Sequence, residues 1–220
     1  MTGLVFLHGW GYGPDTWDGL ARSFGATPTV VLNAGYFSHR SMDLPHNLAD
    51  NPGGWLGVGH SLGFARLLAM DIPWRGLVGI GGFLRFCQKP GQTTGAPPDM
   101  LDAMISRLGV APEDVLARFH KRCGHRLAPL PTPPADGLAR LRVDLEHLRD
   151  LNLSVPFRPV PTLFIQAQDD RIVSTELAQE AQALLPGARL ALLDSGGHAL
   201  PMTRPADCLR LVREFLHDLS

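Results

Sequence analysis

The sequence predicts an α/β fold with a mostly parallel sheet, and three observations carry that prediction. Short, continuous apolar runs recur along the chain, each followed by a turn and a helical pattern, the alternation that builds a parallel sheet with helices packed on it. At one such junction a serine stands between two glycines, Gly59-His60-Ser61-Leu62-Gly63. From Phe83 to about Val155 the strand pattern gives way to helices broken by prolines, which reads as a helical lid inserted between two strands. The core is then residues 1–82 and 156–220, with 83–155 as the insertion.

Leu4-Val5-Phe6-Leu7 is apolar throughout, as in a strand buried on both faces. It runs into His8-Gly9-Trp10-Gly11 and a Gly/Pro turn, with helix expected from about Thr16 to Ser23. Thr29-Val30-Val31-Leu32 is the second strand. The stretch Asn33–Gly53 after it has no helical periodicity, where a crossover normally holds a helix. The sheet is therefore expected to be pared down, with one face thinly covered and open to a partner.

Trp55-Leu56-Gly57-Val58 leads into the serine turn, and the run from Leu62 to Met70 leaves it as a helix. A nucleophile elbow needs such a layout: a strand that stops abruptly, a serine in a strained turn, and nearby glycines that let the backbones approach. The alternative is a glycine-rich turn whose serine caps a helix. Leu77-Val78-Gly79-Ile80 is a further strand. In the insertion, one helix starts near Pro112-Glu113-Asp114, acidic where the helix dipole favours it, with Val115, Leu116 and Phe119 inward. Another carries Leu138, Leu141, Leu145 and Leu148 on one stripe. Arg118, Lys121, Arg122, Arg126, Arg140, Arg142 and Arg149 read either as a docking patch or as a solvated face interleaved with Glu113, Asp114, Asp144 and Glu146. Sheet pattern resumes at Thr162-Leu163-Phe164-Ile165 and ends with Arg189–Leu193, after which a closing helix begins by Pro205.

Composition narrows the function. Lys plus Arg, 20, balances Asp plus Glu, 21, in 220 residues, so nothing favours nucleic acid or an anionic membrane. Cys87, Cys123 and Cys208 lack metal-ligand spacing, and no signal segment or membrane-length apolar run is seen. A reduced, cytoplasmic protein without metal or cofactor is expected. Gly79-Ile80-Gly81-Gly82 lacks the lysine a phosphate loop requires.

A serine hydroxyl needs a base, and the base needs an acid to hold its tautomer. Of nine histidines, His198 alone sits in a glycine-rich loop between the last strand and the final helix. The acid is one of the adjacent Asp169 and Asp170. Asp170 is the choice, leaving Asp169 as a turn former or a partner of Arg171, because only one of the two can point back across the sheet edge. The residues after Ile80, Gly81 to Arg85, offer no carboxylate. The amides of Trp10 and Leu62 are the expected oxyanion donors.

Together these motifs resemble the α/β-hydrolases over essentially the whole chain. Within them, His8-Gly9-Trp10-Gly11, Arg118-Phe119 and the run from Asp144-Leu145 to Asp150-Leu151 are similar to the pimeloyl-acyl-carrier-protein methyl ester esterases of biotin synthesis. The resemblance implies hydrolysis of a methyl ester on an acyl chain held by acyl carrier protein. It implies a triad of Ser61, Asp170 and His198, an oxyanion turn on Trp10 and Leu62, and substrate contacts at Trp10, Leu62 and Phe119. This chain departs from that pattern by lacking the two leading strands, a clear first crossover helix and part of the lid. A thioesterase or lactonase would use the same residues, and a non-catalytic ligand receptor would keep the pocket alone.

Overall fold

The computed structural model describes residues 1–42, 51–125, 131–153 and 159–219. Arg126 and Val155, named above, lie outside that set. Six strands form one sheet: β1 Gly3–Leu7, β2 Thr29–Leu32, β3 Trp55–His60, β4 Gly76–Ile80, β5 Thr162–Ala167 and β6 Arg189–Leu193. All neighbours are parallel, in the order β2-β1-β3-β4-β5-β6. Strands β1, β3, β4 and β5 are buried along their whole length, which is why they read as unbroken apolar runs. The edge strands β2 and β6 are only partly covered.

The helices among the described residues are α1 Asp18–Arg22, α2 Leu62–Ala69, α3 Pro98–Leu108, α4 Pro112–Arg122, α5 Ala135–Asp150, α6 Thr175–Leu184, α7 Leu200–Thr203 and α8 Pro205–Asp218. The helix expected over residues 16–23 divides into a 3₁₀ turn, Pro14–Trp17, and the short α1. On one sheet face Phe6, Val58 and Ile80 pack with Trp17 and Leu20 and with Val212 and Phe215 of α8. On the other, Val5, Leu7 and Phe164 meet Phe64 and Leu67 of α2 and Ala181 of α6.

Between β4 and β5, helices α3, α4 and α5 build a separate apolar cluster from Leu101, Leu116, Leu141 and Leu145, joined by Trp10 and Tyr36 from the core. Pro98, read from the sequence as an interruption, instead opens α3; proline suits a first turn, where its missing N–H costs nothing. Asp144 also departs from its expected place on a solvated face. It is 6% exposed, and its carboxylate pairs with Arg66 of α2 and accepts from the Tyr36 hydroxyl. That pair ties the helix after the serine turn to the insertion. The described part of the β2–β3 crossover has no helix, as expected, but Tyr36 within it is fully buried against the insertion rather than left open.

Candidate active site

The chain runs from β1 outward to β2 and then returns to β3 on the other side of β1. Parallel sheets place ligands at such a reversal, outside the carboxyl ends of the strands. Both the His8–Gly11 turn, after β1, and Ser61, after β3, lie there.

Ser61 has φ 54° and ψ −125° and is the one non-glycine residue with positive φ among the described residues. An L-residue holds that conformation only where its surroundings over-determine it. Here the glycines do so. A side chain at Gly63 would strike the Leu7 carbonyl, one at Gly59 would strike the Phe64 backbone, and one at Gly9 would lie 2.9 Å from the Ser61 Cβ. The close approach of β1, β3 and α2 therefore requires all three. Leu62 opens α2, so its amide is at the positive end of that helix. Its side chain is wholly buried and does not line the cavity beside Ser61, which leaves the backbone amide as the part of Leu62 that could meet a substrate.

His198 and Asp170 meet across the ends of β5 and β6, with His198 Nδ1 donating to Asp170 Oδ2 at 2.8 Å. The other carboxylate oxygen accepts the amides of Ile172 at 2.7 Å and Val173 at 3.0 Å, and Gln166 Nε2 reaches Oδ2 at 3.0 Å. Burial works to raise the Asp170 carboxyl. The facing His198 and these donors outweigh it, so the group is held below the usual carboxylate range. In the tautomer that gives the Nδ1 proton to Asp170, Nε2 carries the lone pair; it is buried and has no hydrogen-bond partner among the described residues.

Asp169 is neither a partner of Arg171 nor a mere turn former: its Oδ1 accepts the Gly197 amide at 2.8 Å and so anchors the histidine loop. Adjacent aspartates thus hold the same loop by ring and by backbone.

Several contributors were not legible in the sequence. Gly81, at φ 59°, leaves room for the imidazole, since a Cβ there would lie 2.9 Å from His198 Cε1. The amides of His198 and Ala199 both donate to the Cys123 carbonyl, at 3.0 and 3.1 Å, so the insertion grips the histidine loop. His60 donates from Nε2 to the His198 carbonyl at 2.9 Å, and burial, with the neighbouring His198, pushes its pKa down to about 3.

The Trp10 side chain is anchored rather than mobile. Its indole donates to the Leu141 carbonyl at 2.8 Å, and its ring meets Phe119 edge-on at 4.9 Å. Trp10 and Phe119 line one cavity of about 1100 Å³ together with Ser61 and Asp170. Its inner wall is apolar, from Phe86, Met104, Val115, Leu145 and Ile172. Among the described residues no group of His, Cys, Asp and Glu side chains could hold a metal ion, and no helix is long and apolar enough to cross a membrane. The three cysteines are buried and free.

The model of the alpha/beta hydrolase family matches residues 4–211. The chain belongs to that family. Among solved structures, this α/β-hydrolase is similar to an esterase from Exiguobacterium antarcticum, with a TM-score of 0.78 and 17% identity over 99% of this chain and 92% of the other. It is also similar to a hydrolase from Oleispira antarctica, with a TM-score of 0.75 and 15% identity over 99% and 91%. These likenesses establish the fold. Among curated relatives, RutD of Pseudomonas savastanoi pv. phaseolicola, provisionally named a carbamate hydrolase, is 32% identical over 55% of this chain and 41% of its own length. RutD of Pseudomonas syringae pv. syringae is 35% identical over 38% and 32%. The chain spans less than half the length of these curated relatives that it matches.

Proposed function

We propose that this hydrolase is a serine carboxylesterase that cleaves a medium-chain acyl ester through an acyl-serine intermediate. The observation that carries the reading is the strained Ser61 at the carboxyl end of β3, taken with a histidine that a buried carboxylate orients at the same end of the sheet. Ser61 Oγ attacks the ester carbonyl while His198 Nε2 takes its proton, and Asp170 stabilises the imidazolium without accepting that proton. The amides of Leu62 and Trp10 receive the oxyanion; one such donor supplies about 3 kcal/mol in the transition state. His198 then protonates the leaving alcohol. Water, activated by the same nitrogen, releases the acid and restores the serine.

The size and apolar wall of the cavity favour an acyl chain over a very small substrate. Phe119 on that wall agrees with the pimeloyl ester reading. The carrier protein is less favoured. Helices α3, α4 and α5 carry seven cationic side chains against eight carboxylates, one of which, Asp144, is buried on Arg66, so these helices are close to charge balance and offer an acidic partner no strongly positive face. Arg118, Arg140, Arg142 and Arg149 each already pair with a carboxylate of the insertion. The reading is therefore a free ester as substrate. Carbamate cleavage is the second reading, favoured by the RutD relatives. The test is labelling with a fluorophosphonate, peptide mapping of the adduct, and kcat/KM for methyl pimeloyl carrier protein against free methyl esters and carbamates. An adduct on Ser61 and Ser61-dependent turnover of the free ester are expected; an unlabelled Ser61 would refute the mechanism.

A further inference from the structure

Arg122 has an unusual position at the mouth of the cavity. From the end of α4 it crosses to two neighbouring segments, donating from Nε to the Arg171 carbonyl at 2.9 Å and from Nη1 to the Met100 sulfur at 3.8 Å. Both acceptors are uncharged, so they orient the guanidinium without neutralising it. Arg171, one residue beyond the triad aspartate, is exposed on the same lining. Neither arginine has an ion-pair partner among the described residues.

The carboxylates nearby are committed elsewhere. Asp114 is shared by Arg107 at 3.3 Å and Arg118 at 2.8 Å, Asp170 holds His198, and Glu176 lies in the first turn of α6 with Ser174 as its hydrogen-bond partner. The lining thus has four guanidinium groups against three carboxylates, each of which already has a partner. It surrounds an otherwise apolar cavity with Ser61 on its wall.

We infer that Arg122 and Arg171 form an anion subsite that selects esters whose apolar chain ends in a carboxylate, the monoesters of dicarboxylic acids. The inference deepens the esterase reading and rests on it for the position of the ester at Ser61. A guanidinium fork matches a carboxylate geometrically, and Arg122 is already held with Nη2 unused by any protein group among the described residues.

The test is binding to the Ser61→Ala protein by calorimetry, using monomethyl and dimethyl esters of adipic to suberic acid, which differ by one methyl group on the distal carboxyl. The monoester is expected to bind roughly tenfold more tightly at low salt, with the advantage shrinking as ionic strength rises. Arg122→Gln and Arg171→Gln should each bring the ratio toward one, while Arg122→Lys retains part of it. Equal affinity for the two esters, or a ratio unmoved by both glutamine variants, would overturn the subsite. Turnover by the Ser61-containing protein is read separately. Ser61-dependent hydrolysis of both esters without preference sinks the subsite and leaves the esterase reading standing; monoester preference in binding without any hydrolysis supports the subsite and removes the esterase reading.

Discussion

The backbone at Ser61 supplies a prediction about stability that runs against the usual effect of glycine. At φ 54° and ψ −125° any residue with a Cβ is strained, at a cost of about 1–3 kcal/mol. Ser61→Ala removes the hydroxyl and keeps that strain. Ser61→Gly removes both, but its unfolded chain gains freedom that offsets about 0.5–1 kcal/mol. The glycine variant should therefore be more stable than the alanine variant by about 1 kcal/mol. With a urea slope near 3 kcal/mol/M for a chain of this size, the midpoint should shift upward by about 0.3 M. Both variants are expected to lose turnover by several orders of magnitude, so the comparison separates strain from chemistry. Equilibrium urea denaturation followed by far-ultraviolet circular dichroism decides it. A glycine midpoint at or below that of alanine would show that the turn is not strained by its side chain.

Other predictions concern the groups around this turn. The His60 ring is kept neutral by burial, with a pKa of about 3 against an ordinary 6.5. The unfolded chain thus takes up a proton first, and the stability due to His60 is complete above pH 6.5 and lost as pH falls toward 3. Relative to His60→Gln, the protein should lose about 2 kcal/mol between pH 7.5 and 5, measured by denaturant titration at each pH; parallel pH profiles would refute it. Gly81→Ala places a Cβ 2.9 Å from His198 Cε1 and should lower kcat/KM at least tenfold, beyond any loss in folded fraction. Asp144→Ala leaves Arg66 and Tyr36 without their shared partner and should destabilise by about 3 kcal/mol, visible as a lower thermal midpoint. Asp170→Asn should lower kcat by about four orders of magnitude while the fold persists, since an amide no longer fixes the imidazole tautomer.

What the sequence made legible was local. The apolar runs of β1, β3, β4 and β5 announce burial on both faces, and the close spacing of Gly59, Ser61 and Gly63 reports a turn formed by consecutive residues. Asp144 shows where this stops. Its helix has an ordinary charged pattern, and nothing within that pattern distinguishes a carboxylate bound to Arg66, 78 residues away, from one facing water. Asp170 could be preferred over its neighbour from the sequence, but the job of Asp169 could not be read there, because the two roles are defined by Gly197 and His198, 28 residues further on. Gly81 was noticeable as part of a glycine pair, but the ring it accommodates arrives from the far end of the chain.

The paired amides on the Cys123 carbonyl bear on how this enzyme scaffold can be re-engineered. The carbonyl that accepts from His198 and Ala199 ends the second helix of the insertion, and Gly197, at φ 64°, lies against it. A chimera that exchanged residues 83–155 for another segment would also exchange the clamp on the His198 loop, so the insertion and the placement of that imidazole cannot be varied independently here. A graft limited to α3, which has no such bond to that loop, would leave the clamp in place and still alter the wall that the substrate meets.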